Sequence, residues 1–256
     1  PRAGEYMLLD KSEGETVSHT IFQVPTANGK GILVTPTADG NLLLGPTAER
    51  VNTPENTETT AGGLKTVAEL AERSVPSVNT RAVITSFSGV RASEKSGDFI
   101  IKESDKIKGL IHAAAIDSPG LSSSAAIAEY IVKLLEKSGL ELTENPDFNG
   151  TREDTRAFKK MSDEEKDEYI KKNPAYGRII CRCETVSEGE IIDALRRNPK
   201  ATDIDGVKRR TRAGMGRCQG GFCMPYVMRL IEKETGKPMT EITKKGGKSN
   251  TVTGRL

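Results

Sequence analysis

The sequence predicts an α+β protein, with a mainly antiparallel sheet and flanking helices in its first half and a small helical domain near its end. Three observations predict this class. Short apolar runs separated by Gly, Pro and Asn dominate residues 4–90, as in antiparallel sheets. Apolar residues recur at helical spacing in longer segments further along. All four cysteines fall after residue 180, in a region with helix signals and little strand signal.

Most elements of the first half follow from these runs. The sequence predicts strands at residues 6–9, 20–24, 32–35, 42–44, 82–84, 99–101 and 110–112. The Asp39-Gly40 step predicts a tight hairpin, because such a turn needs a positive φ. Helical spacing predicts one helix around residues 64–71 that ends before Pro76, and a second that runs to about Lys137. The second helix should bury a stripe made of Ile127, Ile131, Leu134 and Leu135.

The second half is more polar and more helical. Residues 139–177 are rich in charge and predict a connector with one short helix to Ile170, since Ser162 and Glu165 are spaced as a capping box. Ser187 and Glu190 predict a second capped helix. Pro225 lies where a first-turn proline starts another helix. We expect the basic tail from residue 244 onward to be frayed.

Composition excludes several classes of protein. Hydrophobic residues make up 35% and charged residues 29% of the chain, and its net charge is +2, without the basic stripe of a nucleic-acid binder. No apolar run reaches the roughly 18 residues of a transmembrane segment, and no secretion signal is visible. The sequence therefore predicts a cytoplasmic protein, either free or held at the membrane periphery by a partner. Because residues after Pro1 already have strand character, we expect a piece of a longer protein.

The four cysteines form two close pairs, Cys181-Arg-Cys183 and Cys218-Gln-Gly-Gly-Phe-Cys223, with 34 residues between them. In a reducing cytosol such a clustered set indicates a metal site more than disulfides. Structural zinc usually takes two or more residues between paired ligands. Four thiolates around two irons tolerate other spacings, because bridging sulfides complete the coordination of each iron. The spacing favours a [2Fe–2S] cluster, with zinc or unligated thiols as alternatives.

The order of these motifs resembles a known domain. A C-x-C pair, a capped helix, Thr211-Arg-Ala-Gly214 and a C-x4-C pair are similar to the bacterioferritin-associated-ferredoxin-like (BFD-like) [2Fe–2S] domain over about residues 179–231. Glycines 214, 216, 220 and 221 would let backbone N–H groups approach the sulfurs. The resemblance implies four metal ligands, which are Cys181, Cys183, Cys218 and Cys223.

The first half contains four short motifs, which are Gly31-Ile-Leu-Val-Thr-Pro-Thr, Gly40-Asn-Leu-Leu-Leu-Gly-Pro-Thr47, Phe87-Ser-Gly-Val-Arg91 and Ile116-Asp-Ser-Pro-Gly-Leu-Ser122. In these motifs it resembles the C-terminal half of the FAD-dependent D-amino-acid-oxidase-like (DAO) superfamily. The motifs are most similar to anaerobic glycerol-3-phosphate dehydrogenase large subunits and L-2-hydroxyglutarate oxidase-like enzymes. The former also carry a C-terminal cluster domain of this type.

The DAO resemblance implies roles for two regions. Arg91 would bind the carboxylate or phosphate of the substrate, because a guanidinium offers a fixed fork of donors to such groups. A second region would start a helix whose N–H groups face the flavin, and it comprises Ile116, Asp117, Ser118, Pro119, Gly120, Leu121 and Ser122. Ala114-Ala115 stands close to where the superfamily leads us to expect a glycine. His19 and His112 lack paired partners and are expected to be packing or surface residues.

Together the resemblances predict four segments. Residues 1–138 would be the DAO-like part, 139–177 the connector, 178–238 the BFD-like [2Fe–2S] domain and 239–256 the basic tail. Complete DAO proteins begin with a G-x-G-x-x-G loop for the FAD pyrophosphate, and this chain has no such motif in that context. We therefore expect an N-terminal FAD-binding half as a missing partner, and a chain that is inactive alone.

The implied function is that of an FAD-dependent dehydrogenase. It would oxidise glycerol 3-phosphate or a small 2-hydroxy acid and pass electrons through the [2Fe–2S] cluster to an electron-acceptor protein or a quinone-linked subunit. FAD would be bound by the complete protein. Two alternatives are a non-catalytic electron-transfer or scaffold subunit and a protein in which the four cysteines hold a structural zinc ion.

Overall fold

A five-stranded antiparallel sheet is the centre of the first of two units, Pro1–Phe148 and Asn149–Leu256. The computed structural model describes residues 1–25, 31–152, 154 and 157–254. The strands are β1 (Arg2–Leu9), β2 (Leu33–Pro36), β3 (Leu42–Gly45), β4 (Glu49–Arg50) and β5 (Val83–Arg91). One edge of β1 pairs with β3 and β4 and its other edge pairs with β5, while β2 lies outside β3. The predicted α+β class is confirmed.

One helix covers this sheet. Helix α1 (Ala61–Ser74) buries Val67 and Ala71. They pack against alternate strand residues that point to the same face, namely Leu9, Val34, Leu42 and Leu44. The predicted Asp39-Gly40 hairpin joins β2 to β3, with φ +83° at Gly40. A second, two-stranded sheet is formed by β6 (Ile100–Glu103) and β7 (Ile111–Ala114), and α2 (Gly120–Lys137) packs beside it.

Two residues of the Gly40–Thr47 motif, Asn41 and Thr47, form buried hydrogen bonds within the sheet. The Asn41 side-chain amide donates to the Leu9 carbonyl at 2.9 Å, and both residues are buried. The Thr47 hydroxyl accepts from the Glu5 N–H at 3.0 Å. The buried Glu5 carboxylate in turn accepts from the N–H and the hydroxyl of Thr60, the N-cap of α1, at 2.8 and 2.9 Å. These bonds satisfy polar groups that would otherwise be buried without a hydrogen-bond partner.

The strand predicted at residues 20–24 is wrong. Only Ile21 pairs with β2, through a single bridge to Val34, and Phe22 and Val24 are exposed. The reason lies in Gln23, whose side chain accepts from the Ile32 N–H at 3.1 Å and donates to the Leu70 carbonyl at 2.9 Å. Side-chain hydrogen bonds therefore replace a backbone ladder in this segment.

Helix α2 spans the predicted residues, but its predicted buried stripe is only half-buried. Ile127, Ile131, Leu134 and Leu135 are all partly exposed. Apolar residues also remain on the outer side, where Leu121 is 92% exposed and Tyr130 is 49% exposed. The spacing predicted the correct face, and the degree of burial depends on what packs there.

The second unit is built from short helices around one core. The helices are α3 (Ala157–Lys160), α4 (Asp163–Lys172), α5 (Glu188–Arg196), α6 (Ile204–Thr211) and α7 (Met224–Thr235), and a small hairpin is formed by β8 (Ile179–Cys181) and β9 (Val186–Ser187). Both predicted capping boxes are present, at the starts of α4 and α5. The sequence reasoning missed α6, because only two of its eight residues, Ile204 and Val207, are large and apolar.

The tail is better ordered than predicted. Ile242 is buried in the core of the second unit, and Thr243 forms a bridge with Asn250. The backbone carbonyls of Thr243 and Lys244 accept from the first N–H groups of α6, at 3.2 and 2.8 Å. The tail therefore caps α6 instead of fraying. None of the helices in the described ranges is long and apolar enough to cross a membrane.

Candidate functional site

The first cysteine pair lies on the hairpin of the second unit. Cys181 ends β8 and is buried, whereas Cys183 in the turn is exposed. The β8–β9 register is irregular next to Cys181, and Thr185 has φ +53°. A non-glycine residue in this left-handed region marks a tightly constrained turn. The turn places the two sulfurs at different depths, although one residue separates them.

The second pair lies between α6 and α7. Cys218 is half-buried, and the buried Cys223 is the N-cap of α7, with Pro225 in the first turn as predicted. Gly216 packs so closely on Cys183 that a Cβ atom would collide with that side chain. Gly220, with φ +87°, is in a conformation that favours glycine. These glycines let the two cysteine loops meet.

Thiol contacts join the two motifs. The sulfurs of Cys183 and Cys218 are 3.6 Å apart, and the thiols of Cys181 and Cys223 are hydrogen-bonded. A disulfide would need about 2.05 Å. At a metal–sulfur distance of about 2.3 Å, two sulfurs on one tetrahedral ion lie about 3.8 Å apart. The Cys183–Cys218 separation therefore suits two ligands of the same ion.

Backbone and thiol donors set the proton affinity of the sulfurs. The hydrogen bond from Cys223 lowers the pKa of Cys181 to about 6, and N–H groups of Gly214 and Glu184 act in the same direction. Sharing the proton with Cys181 raises the pKa of Cys223. Burial raises the pKa of Cys218, but N–H groups of residues 220–222 and the Cys183 thiol lower it by more. The bond with Cys218 likewise raises the pKa of Cys183. Each pair therefore has one sulfur that favours the thiolate, the form that binds metals, and one that keeps the proton.

This donor set fits a [2Fe–2S] cluster. Each iron takes two thiolates and two bridging sulfides, so the protein must present two thiol pairs and not four converging thiols. Two pairs are what the structure presents. Within the described residues, no three His, Cys, Asp or Glu side chains are grouped to hold a single ion.

A buried ion pair joins the two cysteine loops. Arg212 Nε lies 2.8 Å from Glu184 Oε2, and the side chains are 13% and 1% exposed. Glu184 follows Cys183 directly, while Arg212 caps the C-terminus of α6 at φ +71°. The sequence analysis did not single out this pair. In the sequence, this pair is indicated only by a carboxylate directly after one cysteine motif and by an arginine in the Thr211–Gly214 motif.

In the first unit, the Arg91 strand end and the 116–122 segment are linked. The Ser93 hydroxyl donates to Asp117 Oδ2 at 2.8 Å. Arg91 is the last residue of β5 and lies two residues before Ser93, within about 8 Å along the chain. Sequence reasoning missed Ser93, which only this contact identifies. His19, as expected, is exposed, and it bonds to Ser18.

The 116–122 segment forms the predicted start of α2. Pro119 is the N-cap, and no side chain caps the helix. Gly120 is buried, and a Cβ atom there would collide with Ile116. An uncapped start of an 18-residue helix presents N–H groups and the positive end of its dipole to an anionic group.

Ala115 occupies a backbone conformation that favours glycine. Its φ is +55°, whereas its neighbour Ala114 lies in β7. Glycine lacks the Cβ atom that makes this region unfavourable. Ala115→Gly should therefore stabilise the first unit by about 1 kcal/mol, and the matched Ala114→Gly should destabilise it by about 0.5–1 kcal/mol. Urea unfolding measures both, and equal effects of the two changes would contradict the assignment.

Two family profiles match the chain. The profile described as "FAD dependent oxidoreductase" (DAO) matches residues 1–134. The profile described as "BFD-like [2Fe-2S] binding domain" matches residues 179–233 and so includes all four cysteines.

Individual relatives agree with both profiles. The chain is 47% identical over 254 residues to glycerol 3-phosphate dehydrogenase of Caloramator mitchellensis, covering 99% of this chain and 53% of that protein. It is 29% identical over 216 residues to anaerobic glycerol-3-phosphate dehydrogenase subunit A1 of Haloferax volcanii, covering 71% of this chain and 36% of the relative. The chain thus spans about half or less of the length of these relatives.

A solved structure resembles the first unit. Dithionite-reduced L-α-glycerophosphate oxidase of Mycoplasma pneumoniae with FAD bound aligns with a TM-score of 0.52 and 31% identity, over 59% of this chain and 39% of that one. The DAO profile alone covers more than half of the chain. The chain therefore belongs to the FAD dependent oxidoreductase family and carries a BFD-like [2Fe-2S] binding domain.

Proposed function

We propose that this chain is the substrate-facing and cluster-bearing part of an FAD-dependent dehydrogenase that oxidises glycerol 3-phosphate. The observation that carries the proposal is the similarity to a glycerol 3-phosphate dehydrogenase over 99% of the chain, which includes both the Arg91 region and the four cysteines. Small 2-hydroxy acids are the second candidate substrates. When bound, FAD accepts a hydride from the substrate carbon and the [2Fe–2S] cluster carries electrons singly.

Arg91 is the proposed anchor of the substrate anion. Its guanidinium can donate two parallel hydrogen bonds to a phosphate or carboxylate, which fixes the position of the carbon that is oxidised. The Ser93–Asp117 hydrogen bond supports this role, because it holds the end of β5 beside the start of α2. Substrate and flavin would then meet at one place.

The flavin-facing role of residues 116–122 rests on the uncapped helix start. The N–H groups at the start of α2 can donate to a flavin edge that gains negative charge on reduction. The glycine at position 120 permits the tight turn onto Ile116. This segment would thus stabilise the reduced flavin without proton transfer.

Cys181, Cys183, Cys218 and Cys223 are the proposed ligands of the cluster. The Cys183–Cys218 separation of 3.6 Å supports a shared iron for that pair, and the bonded thiols of Cys181 and Cys223 support a shared second iron. The domain limits proposed from the sequence place all four within 178–238.

The proposed partners are an N-terminal FAD-binding region and an electron acceptor. The Haloferax relative is named as a subunit, which supports an assembly with other subunits. The acceptor is proposed to be a redox protein or a quinone-linked subunit. We propose a cytoplasmic location, with contact to the membrane made by such a partner.

Arg91→Ala tests the substrate site. With an FAD-binding region supplied, anaerobic glycerol 3-phosphate should bleach the flavin, and Arg91→Ala should lower kcat/KM about 10- to 100-fold, since hydrogen bonds to a charged group are lost. Arg81→Ala is the matched control, because Arg81 precedes the opposite end of β5. Bleaching by 2-hydroxyglutarate alone would reassign the substrate. A lack of bleaching by either compound would favour a scaffold role.

A further inference from the structure

The two thiol pairs differ in their access to solvent. Cys181 and Cys223 are buried at 1% and 2% exposure, whereas Cys183 is exposed and Cys218 is half-buried. The ion held by Cys183 and Cys218 would therefore lie at the edge of the second unit. Electrons can leave most directly through this edge, because the other pair lies within the core.

An aromatic side chain projects beside this edge. Phe222 lies between the last two cysteines and is 82% exposed. Tyr226, in the first turn of α7, is 45% exposed, and the Arg229 guanidinium lies 5.7 Å from its ring centroid. Exposed aromatic residues with neighbouring arginines are the residue types enriched in the centres of protein interfaces.

The exposed charges of the two cysteine loops are all positive. Residues 181–187 and 212–223 contain four charged residues, of which Glu184 and Arg212 neutralise each other in the interior. Of the other two, Arg217 has an interaction partner of its own, whereas Arg182 is exposed and directly precedes Cys183 at the edge. We call Arg182, Phe222, Tyr226 and Arg229 the Phe222 surface.

We propose that the Phe222 surface docks an acidic electron-transfer protein, an inference that rests on the proposed cluster. The arginines would attract a carboxylate-rich face, and Phe222 would insert into an apolar hollow at its centre. One electron passes from the reduced cluster to the partner's one-electron centre. The cluster is thereby oxidised by one electron, the partner is reduced by one, and no bond or proton is transferred.

Two haem proteins of opposite charge test this proposal on the whole chain. Iron and sulfide are assayed first, so that absence of the cluster is recognised as failure of the proposed function alone. The reduced chain is then mixed with ferric cytochrome b5, which is acidic, or with ferric cytochrome c, which is basic. The second-order rate constant for haem reduction is followed against ionic strength, and binding to labelled cytochrome b5 is followed by fluorescence anisotropy.

Reduction of cytochrome b5 should slow as salt rises, and the double variant R182Q/R229Q should lower its rate at low salt about tenfold. Phe222→Ala should weaken binding about tenfold while leaving the salt dependence unchanged. K233Q/K237Q removes the same charge at the far end of α7, more than 13 Å from Cys223 by helix rise, and should change nothing.

Four results would overturn the proposal. The first is an equal salt dependence for both cytochromes, and the second is an R182Q/R229Q variant that binds cytochrome b5 as the parent does. The third is a change in cluster potential without a change in binding, which would mean that the arginines only compensate the negative charge of the cluster. The fourth is dimerisation of the chain through Phe222, which would appear as a molecular mass that rises with protein concentration and falls back in Phe222→Ala.

Discussion

Cys218→Ser will reduce the iron content of the reconstituted chain from about two per chain to less than half an iron. Cys218 and Cys183 lie 3.6 Å apart and would hold the same iron, so the serine leaves that iron with a single thiolate. Thiolate donors are strongly preferred by iron in such clusters. Metal analysis and visible absorption after anaerobic reconstitution measure the loss.

The matched control for Cys218→Ser is Arg217→Ser. This change introduces serine at the adjacent exposed position and should leave both irons in place. Circular dichroism should show the same helix content in both variants, because the core of the second unit is formed by other residues, among them Val207, Val227 and Ile231. A Cys218→Ser chain that still held two irons would contradict the ligand assignment.

Arg212→Ala will destabilise the second unit by about 3–5 kcal/mol. The reason is that Glu184, with its side chain 1% exposed, would keep a buried charge without its arginine. Hydrogen exchange of backbone amides in α5, α6 and α7 measures the opening of this unit separately from the first. Protection should fall throughout these helices, since the pair joins the two loops from which they extend.

Two further variants separate the buried pair from a general effect of lost charge. Arg196→Ala removes a pair with Glu234, at 2.6 Å, in which the arginine side chain is 66% exposed to solvent, and should leave protection nearly unchanged. The double change Glu184→Gln/Arg212→Met should cost less than Arg212→Ala alone, because no uncompensated charge remains. An equal loss of amide protection in Arg196→Ala and Arg212→Ala would contradict the conclusion that the buried Glu184–Arg212 pair holds the two cysteine loops together.

The sequence predicted features that depend on local order. The capping boxes, the Asp39-Gly40 hairpin and the spans of α1 and α2 were predicted because neighbours in sequence determine them. The two resemblances, each based on several short motifs, agree with the family profiles over residues 1–134 and 179–233.

Features that depend on distant contacts could not be predicted in this way. The pairing of Cys183 with Cys218 arises only when α5 and α6 have packed and the two loops meet. The bond from Gln23 to Leu70 crosses 47 positions and displaces an expected strand. Burial of the α2 stripe depends on the residues that pack against it and not on spacing. The tail is ordered because Ile242 packs in the core of the second unit.

The amounts of iron and acid-labile sulfide per chain test the central claim most directly. The anaerobically reconstituted chain should contain about two irons and two sulfides, and should give an electron paramagnetic resonance signal when reduced by one electron. One zinc per chain with no labile sulfide, and no such signal, would contradict the crossed thiol pairs as a two-iron site.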